Sequence, residues 1–119
     1  MMEPAHGSRA IDRVDAEGYE PFVVDGKQVG EIRWLWTTAN QPSTALEVGM
    51  WRSQPATYDY FFAVDETFHV IEGAVTIDLP DSGERVELVA GDIAFFEAGT
   101  ASVWTITEPF RKFVITPPS

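Results

Sequence analysis

The sequence predicts an all-β fold, a single-domain jelly-roll β-barrel, on three observations. From residue 21 onward it is a succession of short runs rich in Val, Ile, Phe, Trp, Tyr and Thr, broken by Gly, Pro, Asp and Asn. The runs recur at about 8–12 residue spacing, and no stretch carries a helical period of useful length. With 119 residues the chain is shorter than the roughly 150 usually allotted to one domain, which leaves room for one core. At that size a jelly roll closes such strands most economically.

Taken in order, residues 1–20 are polar and periodic in neither sense, which predicts a flexible N-terminal arm with one short helical turn near residues 11–16. Residues 21–116 form the barrel domain. Its predicted strands are 22–24, 28–36, 45–52, 58–63, 67–72, 75–79, 85–89, 93–96, 102–107 and 110–116. Asp25-Gly26 supplies a tight hairpin turn between the first two, and Pro80-Asp81-Ser82-Gly83 supplies another between two alternating strands. Residues 117–119 should trail as an extended tail, because Pro117-Pro118 cannot continue a ladder.

Charge and composition narrow the function. Eight Lys and Arg stand against 19 Asp and Glu, a formal net charge of −11. Such a surface repels phosphate backbones and anionic lipid headgroups, so nucleic acid and membrane are not expected as partners. The absence of cysteine removes disulfides, thiolate metal sites and thiol nucleophiles. The first residues carry charges throughout, with no apolar run of the signal-peptide kind, and this favours a cytoplasmic protein.

Strand alternation then sorts side chains by face. Glu66, Phe68 and Val70 share one face, and Thr67, His69 and Ile71 the other; Ser102, Trp104 and Ile106 also share a face. Apolar walls with a few polar groups are the lining of a ligand-holding barrel. His69 has the parity opposite to Glu66 and should point away from the interior. Arg111-Lys112 reads as a small basic spot paired with Glu108 or nearby Asp residues. His6, in the arm, carries little weight.

The motif ETFHVIEG at 66–73 and the motif GDIAFFEAG at 91–99, with 17 residues between Gly73 and Gly91, resemble the two motifs of the cupins. The resemblance covers roughly residues 46–115. Gly49-x-Trp51, Tyr58-Asp59-Tyr60, Asp65-Glu66, Glu72-Gly73 and WTITEPFRK at 104–112 are more specifically similar to the small ureidoglycine aminohydrolase-type and ethanolamine-utilisation-like cupins.

That resemblance implies a homodimer and a divalent metal, Mn, Ni, Fe or Zn, held by His-x-His and Glu of the first motif and one His of the second. Counted back from Glu66, the matching positions here hold Asp59 and Phe61, and the second-motif histidine becomes Ser102. Glu66 and Asp59 remain as candidate metal ligands. Without metal, the same two carboxylates could work as general acid and base, since joint ionisation of close like charges is disfavoured. Tyr58, Tyr60, Phe68, Ser102 and Trp104 are the candidate ligand-binding residues. Three functions stay open: a barrel that holds a small polar metabolite, a metal-dependent enzyme resembling ureidoglycine aminohydrolase, and an accessory subunit of a larger enzyme.

Overall fold

The computed structural model of the protein describes residues 9–39 and 42–118. Ten strands appear in the predicted order: β1 (Glu20–Val24), β2 (Lys27–Trp36), β3 (Glu47–Ser53), β4 (Ala56–Phe61), β5 (Glu66–Glu72), β6 (Ala74–Leu79), β7 (Glu84–Val89), β8 (Ile93–Phe96), β9 (Ala101–Ile106) and β10 (Phe110–Thr116). They form two antiparallel sheets, a six-stranded one ordered β1-β2-β3-β10-β5-β8 and a four-stranded one ordered β4-β9-β6-β7. This is the jelly roll the sequence predicts. No helix among the described residues is long and apolar enough to cross a membrane.

The strands form because alternate residues are apolar and can be buried between the sheets. Phe68, Val70, Val75, Ile77, Trp104, Ile106, Phe110 and Val114 belong to one buried cluster that unites both sheets. Asp25-Gly26 makes the β1–β2 hairpin as its residue types require, with Asp25 at φ 51° and Gly26 at φ 78°.

Two glycines shape the barrel. In β2 the pairing with β1 slips by one residue between Pro21 and Val23, and Gly30 sits in this bulge at φ +70°. A Cβ there would lie 2.6 Å from the Arg52 carbonyl oxygen and 2.6 Å from the Trp51 ring, so only glycine fits. The bulge lets Val29 and Ile32, three residues apart, both reach the interior cluster. Gly73, at φ +89°, allows the turn after β5 to press on Pro109, whose carbonyl oxygen would be 2.3 Å from an added Cβ.

Residues 9–19 contain no helix and lie against the barrel. No helical turn forms over residues 11–16; Val14 and Asp15 make a turn in which the Ala16 N–H donates to the Arg13 carbonyl at 3.2 Å. The segment lies across the outer face of the six-stranded sheet. Asp12 pairs with Arg33 of β2, the Arg13 carbonyl accepts from the same guanidinium at 2.8 Å, and the Val14 carbonyl accepts from Arg111 of β10 at 3.0 Å. The Tyr19 ring lies 3.9 Å beneath the Arg52 guanidinium. These cationic side chains, spaced across β2, β3 and β10, give an otherwise polar segment something to bind. His6 lies outside the described residues.

Candidate functional site

Between the sheets lies a cavity of about 260 Å³. Its walls are largely apolar and aromatic: Ile32, Trp34, Trp51, Tyr58, Val64 and Trp104 contribute to it. Trp51 is fixed by an indole N–H bond to the Val29 carbonyl at 2.8 Å and meets Trp104 and Tyr58 edge-on, with centroids 6.1 and 6.2 Å apart. Edge-to-face contacts of this kind lock aromatic walls in place.

The polar feature of the cavity is a chain of three side chains. Glu66, at the start of β5, is 3% exposed. Its Oε2 accepts from the Lys112 Nζ at 2.5 Å, and its Oε1 accepts from the Tyr60 hydroxyl at 3.0 Å. Lys112 is itself 6% exposed. It reaches this place because Phe110, Lys112 and Val114 share the inner face of β10, where Lys112 stands opposite Val70. The ammonium lies 4.4 Å from the Phe68 ring centre and 4.6 Å from that of Trp104, so cation–π attraction supplements the ion pair. Burial, then the Glu66 charge, then the hydrogen bond to it push the Tyr60 hydroxyl well above the ordinary phenol range. Both the geometry and this upward shift make the Tyr60 hydroxyl the donor in its bond to Glu66.

The structure brings together Glu66, Tyr58, Tyr60 and Trp104 at the cavity, as the sequence suggests. Phe68 and Ser102 face inward but are covered, at 1% and 4% exposure. Phe68 carries the ammonium on its face. Ser102 donates to the Tyr60 carbonyl at 2.6 Å and accepts from the Trp104 indole at 3.0 Å, so it orients a wall of this cavity from behind and does not line it.

Asp59 requires a correction. It is exposed on β4, between the inward-facing Tyr58 and Tyr60, and so points to the opposite side of the sheet from Glu66. The Asp59–Glu66 pair does not form, either as acid and base or as metal ligands. Counting back from the glutamate placed Asp59 at a ligand position, whereas the alternation of β4 itself puts the two tyrosines inside. His69 is exposed on the outer parity, as expected; the irregularity in the β5–β10 pairing falls between Arg111 and Lys112, beyond His69.

Lys112 is the cavity-lining residue that the sequence reading missed. Arg111 and Lys112 do not pair with Glu108. Arg111 faces outward toward Glu72 at 3.4 Å, and Lys112 faces inward to Glu66. The signal was present in the apolar neighbours, since Phe110 and Val114 set an inward parity that includes position 112.

A match to the family model of the EutQ-like cupin domain extends over residues 40–113. The chain belongs to the EutQ-like cupin family. No curated protein matches it. Among solved structures, it is similar to the EutQ protein of Clostridium difficile, with 25% identity and a TM-score of 0.66 over 76% of this chain. That alignment spans 64% of the Clostridium difficile protein. A DUF861 family protein of Thermotoga maritima is 28% identical over 55% of this chain and 73% of its own, with a TM-score of 0.53. A predicted oxalate decarboxylase of Thermotoga maritima, 14% identical, covers 92% of this chain and 99% of its own at a TM-score of 0.68, a likeness of fold alone.

Cupins often bind metal, and the described side chains around Glu66 do not fit that role. Among the described residues no three His, Cys, Asp or Glu side chains come together. The retained glutamate already has a cation on one oxygen and a phenol on the other. An ammonium thus sits where a divalent ion would need the carboxylate.

Proposed function

We propose that this EutQ-like cupin is a metal-independent binding protein that holds a small molecule with a flat apolar body and one hydrogen-bonding end. The observation that carries the reading is the Lys112–Glu66 contact of 2.5 Å at the wall of an aromatic cavity. The pair supplies its own charge balance, so the site needs no ion to neutralise the buried glutamate. The walls favour a ligand with more apolar surface than the small polar metabolite expected from the sequence. A metal-dependent aminohydrolase loses its ligand set once Asp59 points outward. Likeness to small cupins supports a homodimer, and the acidic, cysteine-free composition supports a cytoplasmic setting.

The test is thermal denaturation of the protein with benzyl alcohol and benzamide as probes, in EDTA and in MnCl₂. A ligand that binds the native state stabilises it by mass action, about 2.7 kcal/mol at a hundredfold excess over Kd. The expected result is a concentration-dependent rise in Tm, equal in EDTA and manganese and lost in Val64→Trp, which fills the rim. No rise with either probe, or a rise that requires manganese, would overturn the reading.

A further inference from the structure

Lys112 has a chemistry that simple binding leaves unused. It is one of two lysines in the chain; the other, Lys27, is exposed beside the β1–β2 turn. An ammonium has three N–H donors. Among the described residues Lys112 spends one on oxygen, that of Glu66, and otherwise meets the faces of Phe68, Trp104 and Trp51. A lysine withdrawn from water among aromatic rings, on the wall of a cavity and with a carboxylate in contact to relay protons, is placed as Schiff-base lysines are.

We propose that Lys112 condenses with the carbonyl group of a small, neutral aldehyde or ketone that enters the cavity, an inference that rests on the binding reading above. Glu66 accepts a proton from the Lys112 ammonium. The free amine attacks the carbonyl carbon, a C–N bond forms, and the carbonyl oxygen takes a proton from Glu66, giving a carbinolamine. Its hydroxyl group leaves as water with one further proton from nitrogen, shuttled by Glu66. The sum is ammonium plus carbonyl compound to iminium plus water, with no oxidant or reductant required. The iminium keeps the positive charge, so it inherits the place of the ammonium between Glu66 and the rings of Phe68 and Trp104. Tyr60 holds the carboxylate in position through its bond of 3.0 Å.

Neutrality of the substrate follows from the same charges. Lys112 is the cation that faces the cavity, and it is already matched by Glu66; Glu47 is the other charged residue of the lining. A 2-oxo acid would bring a third carboxylate into a space with no second cation.

Reductive trapping tests the proposal. The full chain is incubated with limiting benzaldehyde and sodium cyanoborohydride at neutral pH, and benzylation is located by peptide mass spectrometry. Labelling of Lys112 is expected to outpace that of Lys27 by about tenfold or more, because the cavity holds the aldehyde against the amine. Glu66→Gln should slow labelling at Lys112 about 100-fold and leave Lys27 unchanged. Unreactive benzyl alcohol should protect Lys112 but not Lys27 in the unaltered protein, a readout that needs no variant to fold. Labelling of Lys112 no faster than Lys27 would overturn the proposal, and the binding reading would still stand if benzyl alcohol raises Tm. Trapping of pyruvate at Lys112 as fast as benzaldehyde would overturn the neutral substrate class.

Discussion

On the outer face of the six-stranded sheet, Arg33 is buried against Asp12 and the Arg13 carbonyl of the N-terminal segment. On the inner face of the same sheet, Lys112 is buried against Glu66 and a group of aromatic rings. Both are cation–carboxylate pairs whose cation is withdrawn from water, and they do different work. The guanidinium binds two groups of one segment of its own chain and fastens that segment to the sheet. The ammonium holds one oxygen, and its other surroundings are ring faces and a cavity. A buried charge that grips its own chain at two points is a fastening, whereas one that opens on a cavity is available to a ligand.

The largest effect should come from splitting the inner pair. Lys112→Met leaves the Glu66 carboxylate buried with only the Tyr60 hydroxyl, a change expected to cost about 3–5 kcal/mol in urea unfolding. Adding Glu66→Gln removes the orphaned charge, and the double variant should recover most of that loss. Equal stability of the single and double variants would show that the pair is not coupled.

Asp12→Ala should cost less, about 1.5–3 kcal/mol, because it removes hydrogen bonds to a charged group at a site with some access to water. It should leave the response to benzyl alcohol unchanged, since the outer pair does not line the cavity. A loss of ligand response in Asp12→Ala would break the distinction between the two faces.

The smallest effect concerns Tyr60 and is seen in the pH dependence. Burial, then the neighbouring carboxylate, raises its folded pKa above the unfolded value of about 10. The folded state then holds more protons above that pH, so the contribution of Tyr60 is fully present below about pH 10 and is lost as pH rises toward the folded value. Tyr60→Phe should cost about 1 kcal/mol at neutral pH and flatten this alkaline loss, measured as Tm against pH. An unchanged alkaline limb would place the hydroxyl's role elsewhere.

The fold was legible because β strands announce themselves locally. All ten strands fall within a few residues of their expected places, and the inward set Glu66, Phe68 and Val70 follows from alternation alone. The site was less legible, for two physical reasons. Asp59 was placed by distance from a motif in the neighbouring strand, but the side a residue faces is set by its own strand, where Tyr58 and Tyr60 alternate with it. Lys112 reads as a surface charge in the sequence because lysine is rarely buried without a partner. Its partner, Glu66, is 46 residues away in sequence, and only the assembled sheet brings them together. The N-terminal segment carries no strand or helix pattern, and its contacts with Arg33, Arg52 and Arg111 arise only once three strands align those side chains.

With the Lys112 ammonium on the Glu66 carboxylate, no divalent ion is expected there. Elemental analysis tests it most directly, on untagged protein purified without chelator and then equilibrated with manganese, iron, nickel and zinc before desalting. Far less than one metal ion per chain is expected, with the same trace content in Glu66→Gln. Close to one ion per chain, falling away in Glu66→Gln, would contradict it.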